Sequence, residues 1–204
     1  MKQIKKFIKY SLFLYACISL TYWLFVRPEY LQWGATNAEI AMRLPEDELP
    51  SSSRIVSTRG ITIQASKENV WPWIAQTGQN RGGFNSYYWL ENLFGARMVN
   101  ADKIHPDWQH PIPGDTVYLG KNQPYLLVSQ VKKSEYYSLS GWMFCLRPAD
   151  SGSTRLVIRY PSMKVKQSTL MSIYYYGLFE PLHFIMEAGM MMGIKQRAEK
   201  TVNH

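Results

Sequence analysis

Two side chains in the stretch 70–95 could act together on a carbonyl substrate. Glu91 is a carboxylate that could take up or release a proton, and Arg81 is a permanent cation that could stabilise charge developing on a carbonyl oxygen. Both residue types are also common on solvated surfaces, with Arg81 on a loop and Glu91 on a helix. The pair is therefore the candidate catalytic pair of this chain, but it does not by itself indicate a reaction.

The same stretch carries enough aromatic area to hold an apolar ligand. Polar side chains lie between its two aromatic groups, before Gly82 and Gly83. Such a surface suits a molecule with a large apolar part and a few polar atoms, although the same aromatic residues could equally form ordinary core. The predicted ligand-binding residues, including four from later segments, are Trp73, Gln76, Gln79, Arg81, Phe84, Tyr87, Tyr88, Trp142, Phe144, Met186 and Met190.

Other chemical motifs are weak in this sequence. Ser86 has no Gly-x-Ser-x-Gly frame, and the glycines of 78–83 lack the Gly-Lys-Ser/Thr ending of a phosphate-binding loop. The loop 100–113 contains metal-ligand residue types at spacings that match no known motif, so we predict no metal and no cofactor; these residues are Asp102, His105, Asp107 and His110.

The N-terminus has the pattern of a membrane anchor. Four lysines lie within residues 1–9, and the run 10–26 is uncharged before Arg27. This length is at the short end of what spans a bilayer. The excess of lysines before the run predicts a single-pass protein with a cytoplasmic N-terminus and an extracytoplasmic domain. The bilayer is therefore one expected partner.

Two alternatives to an anchor remain open. A cleaved signal peptide would need a small-x-small site after the apolar run, where Phe25, Val26 and Arg27 stand instead. Lipidation at Cys17 would leave nine more residues of the uncharged run beyond the modified cysteine, and Cys17 could equally be a small helix residue.

The charge of the remaining chain argues against a nucleic-acid partner. The formal net charge is +8, but residues 1–27 hold five basic and no acidic side chains, which leaves 18 Lys and Arg against 15 Asp and Glu. A nucleic-acid-binding domain would concentrate more positive charge. With two cysteines, one of them in the apolar run, a disulfide framework is also excluded.

The order of elements predicts an α+β domain. We divide the chain into an anchor (1–27), a linker with a short helix after Thr36 (28–53) and one domain (54–200). Turn residues separate period-two segments, which predict antiparallel strands at 54–64, 116–119, 125–131, 136–146 and 154–160.

The segment 168–200 predicts helix in two parts, broken at Pro181. Leu182, Met186, Met190 and other residues three or four apart form an apolar stripe that can lie across the sheet, and the methionines suit either varied apolar partners or irregular core gaps. Gly189 and Gly193 would allow close approach. The part 168–179 could face the bilayer interface.

Four side chains have predicted environments. Arg155 and Arg159 alternate with Leu156 and Ile158, so they are expected on a solvated outer face of the sheet. Cys145 has no nearby partner that would activate it, which predicts an inert thiol. If Arg81 is buried, Glu91 or Asp102 is its expected partner.

Several motifs together resemble a known superfamily. They are Trp33-Gly34-Ala35-Thr36, the stretch 70–95, Asn100-Ala101-Asp102-Lys103-Ile104 and Gly193-Ile194-Lys195-Gln196-Arg197-Ala198-Glu199. Over roughly residues 31–199 the chain resembles a membrane-anchored bacterial branch of the SRPBCC, or START-like, proteins of the polyketide cyclase/dehydrase and lipid transport type. The resemblance implies a helix-grip fold, in which a curved antiparallel sheet surrounds a long C-terminal helix and a cavity between them takes a hydrophobic ligand. It implies no catalytic residue.

Three functions are compatible with this resemblance. The first is membrane-tethered binding or transfer of a hydrophobic or amphiphilic small molecule, a lipid above all. The second is a cyclase- or dehydratase-like enzyme that uses Glu91 and Arg81, and the third is an interaction module that only keeps the fold. An open apolar cavity favours binding, converging titratable groups favour catalysis, and a filled interior favours the third function.

Overall fold

The computed structural model describes residues 2–45, 47, 54–121, 124–163 and 168–202. It confirms the α+β class, with a curved antiparallel sheet, a long C-terminal helix and an apolar N-terminal helix. The predicted linker residues Glu46 and 48–53, and Asn122 in a predicted hairpin loop, lie outside the described residues.

Six strands form the sheet in the order β1-β6-β5-β4-β3-β2, and every neighbouring pair is antiparallel. The predicted segment 136–146 is two strands, because Ser140 and Gly141 both have positive φ and reverse the chain. The strands are β1 (Arg54–Ile63), β2 (Thr116–Tyr118), β3 (Tyr125–Lys132), β4 (Tyr136–Leu139), β5 (Trp142–Pro148) and β6 (Thr154–Met163).

The apolar N-terminal helix is α1 (Lys2–Thr21), which continues through a π-helical turn (Tyr22–Val26) into α2 (Arg27–Leu31). Residues 6–31 are long and apolar enough to cross a membrane or to serve as a signal sequence. The short helix α3 (Asn37–Ala41) begins with the predicted cap, since Thr36 Oγ1 accepts from the Glu39 amide and Glu39 accepts from the Thr36 amide.

Four helices follow β1: α4 (Lys67–Ala75), α5 (Tyr88–Leu93), α6 (Thr169–Tyr174) and α7 (Glu180–Val202). The predicted break at Pro181 is wrong, because helical angles continue through Glu180. Proline removes one backbone donor, and the chain accommodates it with a π-helical turn at Tyr175–Phe179. Helix α7 packs on α4 and β1 and closes the inner side of the sheet.

The opposite side of the sheet is covered by residues 34–45 and Asp47, so the expectation that Arg155 and Arg159 are solvated is wrong. Arg155 forms two hydrogen bonds with Glu39, at 2.7 and 2.9 Å. Arg159 is 6% exposed, pairs with Asp47 and donates to three backbone carbonyls of this covering segment. These two arginines attach the segment after α2 to the sheet.

Both glycines of α7 allow the close approach that the sequence predicts. A Cβ at Gly193 would lie 1.8 Å from the Asn85 carbonyl oxygen, and one at Gly189 would lie 2.6 Å from the Tyr87 ring. The loop before α5 therefore rests directly on α7. This contact places α5 beside the interior of the fold.

Candidate functional site

An apolar cavity of about 340 Å³ lies between the sheet and α7. Phe84 and Trp142 stack within it, with ring centroids 6.1 Å apart. The strands contribute one wall, and α5 and the turn before α7 contribute the others. Its lining is Phe84, Ser86, Glu91, Phe94, Ala96, Leu119, Leu126, Trp142, Tyr160, Phe179, Leu182, His183, Met186, Glu187 and Met190.

Glu91 is the polar group of this cavity that the protein itself does not satisfy. The residue is 4% exposed, and its Oε2 atom has no hydrogen-bond partner among the described residues. Burial raises its pKa to about 7, since an apolar environment disfavours the carboxylate. A buried polar atom without a partner is costly to folding, so Glu91 Oε2 is the point of the cavity wall where a hydrogen-bond donor of a ligand would be stabilised.

A second polar group in the cavity is fully bonded. Glu187 on α7 accepts from Arg59 Nη1 at 2.6 Å and from Trp142 Nε1 at 2.8 Å. The Arg59 backbone position on β1 lies opposite Ile158 of β6, so its side chain points toward α7. This buried ion pair joins α7 to β1 beside the cavity.

His183 lies next to this pair and faces the cavity. Its ring lies 4.3 Å from the Tyr160 ring, between centroids. Burial lowers the pKa of His183, so the ring is neutral near pH 7 and its 4.0 Å approach to Glu187 is not an ion pair there. A neutral imidazole can donate or accept one hydrogen bond toward a ligand.

The cavity opens at a rim of exposed apolar side chains. Phe94 at the end of α5 is 57% exposed, and Phe179 in the turn before α7 is 38% exposed. Both line the cavity. A ligand would therefore pass between α5 and the π-helical turn.

The structure brings together only part of the predicted site. Phe84, Trp142, Met186, Met190 and Glu91 line the cavity. Phe144 and Trp73 are buried core residues that are not among its lining, although the Phe144 ring lies 5.0 Å from that of Trp142.

Three polar candidates instead hold the loops around the fold. Gln76 bonds the backbone of Lys103 and His105, and Gln79 donates to the Arg97 carbonyl. Arg81 contacts Asp115 at 3.2 Å, and neither expected carboxylate is its partner, so the expectation of Glu91 or Asp102 is wrong. Arg81 does not line the cavity with Glu91.

Tyr87 and Tyr88 line a different, open groove of about 690 Å³ on the other side of the loop before α5. Asn100 fixes this loop, since its side chain accepts from the Asn85 amide and donates to the Ser86 carbonyl. The polar side chains at this groove thus serve the loop geometry.

His183 and Glu187 also line the cavity, although neither is among the predicted site residues. Their signal was present, because both interrupt an apolar helix and lie four residues apart on one face. Burial raises the pKa of the Cys145 thiol, which agrees with the expected lack of reactivity. Within the described part of the chain, no group of three or more His, Cys, Asp or Glu side chains could hold a metal ion.

Comparison of the sequence with protein-family models and with curated proteins finds no match to either.

Proposed function

We propose that this protein is a membrane-tethered binding or transfer protein for a hydrophobic or amphiphilic small molecule of the lipid class. We also propose the helix-grip arrangement that the sequence motifs resemble, with the ligand between the sheet and α7. The N-terminal helix acts as the tether and places the domain outside the cytoplasm. The observation that carries the proposal is the apolar cavity with Glu91 at its wall, whose Oε2 atom has no hydrogen-bond partner among the residues that the structure describes.

The cavity supports a ligand with one apolar body and a small polar end. A volume of 340 Å³ is near the lower end of the roughly 300–1,000 Å³ typical of small-molecule pockets, which favours a single-chain amphiphile over a two-chain lipid. Burial of the apolar body at about 25 cal/mol per Å² supplies affinity without a covalent step. Glu91 and His183 supply hydrogen bonds for the polar end.

The contacts of the N-terminal helix support a retained tether. Arg27 forms hydrogen bonds of 2.7 and 2.8 Å with Glu180, and the Tyr22 hydroxyl donates to the Tyr176 carbonyl at 2.6 Å. Cleavage after residue 26 would remove the second contact and leave Arg27 as a new N-terminus. These hydrogen bonds to the folded domain favour a retained anchor over a cleaved signal peptide.

Filling the cavity should abolish binding. In Met186→Trp the larger side chain occupies the cavity, whereas Met192→Trp changes a 40% exposed position of the same helix that does not line it. Native mass spectrometry of the detergent-purified full chain should release a small molecule from the parent and from Met192→Trp only. Displacement of cis-parinaric acid, a fluorescent fatty acid, should follow the same pattern. No release and no probe binding by the parent would contradict the proposal.

An enzyme of the cyclase or dehydratase kind is the second candidate, and Glu91 is the observation that favours it. A carboxyl with a pKa of about 7 can serve as either acid or base near neutral pH. Arg81 is not at the cavity, so His183 is the other group available to a substrate there. If the molecules carried by Glu91→Gln and by the parent differ in mass by one water, the protein is a dehydratase. Identical masses support binding without a reaction.

A further inference from the structure

The helical segment between the last strand and α7 has the surface of a lipid-facing helix. Residues 168–179 contain no charged side chain. Leu170 is 74% exposed, Ile173 61% and Leu178 55%, although each is strongly apolar. A group of exposed apolar side chains on consecutive helical turns marks an interaction surface.

This segment runs parallel to the N-terminal helix where the two meet. Tyr22 contacts Tyr176, Arg27 contacts Glu180, and the Tyr30 ring stacks on Phe184 with centroids 5.4 Å apart. The residue numbers rise together along both helices, so both point in the same direction. Thr169 is seven residues before Tyr176, which places it about 10 Å further along the axis, level with about residue 15 of the anchor.

That level lies inside the uncharged run 10–26. If the anchor spans the bilayer and the two helices keep this common direction beyond Tyr22 and Tyr176, residues 169–179 lie at the same depth as its second half. Helical backbone is suited to this depth, because its hydrogen bonds are satisfied within the segment. The N-terminal helix therefore identifies the bilayer as the occupant of the exposed apolar surface.

Aromatic and charged side chains mark where the bilayer would end. The Arg27 guanidinium lies 4.9 Å from the Trp23 ring and 5.4 Å from the Tyr176 ring. Tryptophan and tyrosine concentrate at the membrane interface. The Arg27 and Glu180 pair, one helical turn beyond Tyr176, then belongs to the domain side of this boundary.

We propose that residues 168–179 are embedded in the bilayer beside the anchor and that the cavity mouth at Phe179 opens at the membrane surface. A ligand then passes between lipid and cavity without crossing water. The embedding follows from the helices alone, whereas the route of the ligand rests on the proposed function.

Site-specific labelling of the full chain tests the embedding. In a Cys17→Ala, Cys145→Ala background, the fluorophore NBD is attached at Leu170→Cys, Ile173→Cys or Leu178→Cys, and at Thr201→Cys as control. Thr201 is exposed and lies 21 residues beyond Glu180 on α7, about 30 Å along the helix axis. The protein is reconstituted in vesicles of equal phosphatidylcholine and phosphatidylglycerol.

Nitroxide groups on lipid acyl chains should quench the labels at 170, 173 and 178, and aqueous iodide should quench only the label at 201. Deep nitroxides should be most effective at 170 and shallow ones at 178, because about 12 Å of helix separates these positions. Iodide quenching at 170–178 would overturn the proposal. Protection from both quenchers would also overturn it and would indicate a second copy of the chain on this surface.

The route of the ligand has a separate test. Leu170→Lys with Leu178→Lys should slow loading of cis-parinaric acid from these vesicles by about tenfold, because lysine is costly within the hydrocarbon layer. Equilibrium binding of the probe in detergent should be unchanged, and Thr201→Lys should load at the parent rate. Equal loading rates would overturn the route, while absence of binding in detergent would overturn the proposed function and leave the labelling result intact.

Discussion

Glu91 lies against an apolar cavity, and its Oε2 atom has no hydrogen-bond partner in the part of the chain that the structure describes, so its protonation is coupled to folding. Its pKa is raised from 4.5 in the unfolded chain to about 7 in the fold by burial. The neutral form is therefore favoured in the folded state. Its contribution to stability is complete below pH 4.5 and is lost as the pH rises through 7.

We expect Glu91→Gln to remove this part of the pH dependence. The shift corresponds to at most about 3 kcal/mol of unfolding free energy between pH 4.5 and 8. Thermal melts of the detergent-purified parent should show a larger loss between pH 5 and 8 than those of Glu91→Gln. Parallel losses in the two proteins would show that Glu91 is ionised in both the folded and the unfolded state.

At the scale of elements, a buried ion pair beside the cavity links β1 to α7. Arg59 and Glu187 make this link, and their side chains are each 1% exposed. Arg81 and Asp115 form a comparable pair between the loop at 79–83 and the turn before β2, but their side chains are 14% and 29% exposed. The two ion pairs therefore have similar chemistry but differ in how deeply their side chains are buried.

Arg59→Ala should cost about 3–5 kcal/mol of unfolding free energy, because it leaves the Glu187 charge buried with only Trp142 as a donor. Arg81→Ala should cost about 1 kcal/mol and leave binding of the fatty-acid probe unchanged, because Asp115 remains partly solvated. Denaturant titration of both variants beside the parent measures the difference. A larger loss for Arg81→Ala would reverse this ranking.

The helices and strands could be predicted from the sequence far better than the contacts between them. Period-two patterns located the strands, and Gly189 and Gly193 indicated a close contact of α7. The same patterns give no sign that residues 34–45 and Asp47 cover Arg155 and Arg159, because partners more than 100 residues apart leave no local trace. The partner of Arg81, Asp115, lies 34 residues away, beyond the carboxylates that the local sequence offers.

The cavity residues that could be predicted are those whose apolar pattern also places them in the interior. Phe84, Trp142, Met186 and Met190 belong to apolar patterns that had to face the interior, and they line the cavity. Gln76 and Gln79 have no such pattern, and their roles depend on which loop carbonyls the folded chain brings near them. The depth of Glu91 depends on the packing of α5 over the cavity, which composition does not encode.

At the scale of the whole molecule, the proposed membrane orientation rests on the positive charges at the two ends of the apolar N-terminal helix. Lys2, Lys5, Lys6 and Lys9 precede the apolar run, and Arg27 follows it but is neutralised by Glu180. This difference favours retention of the N-terminus in the cytoplasm. The cavity would then exchange ligand with the outer leaflet.

Reporters fused after His204 of the full chain can test this orientation. Alkaline phosphatase, which requires export, should be active, and a green fluorescent protein that folds only in the cytoplasm should be dark. Replacing the four lysines by glutamine removes the charge difference, so the phosphatase signal should fall relative to the fluorescence. A fluorescent parent fusion with silent phosphatase would place the domain in the cytoplasm. The cavity mouth would then face the inner leaflet, because the contacts between the anchor and residues 176–184 fix it relative to the helix and not to a particular side of the membrane.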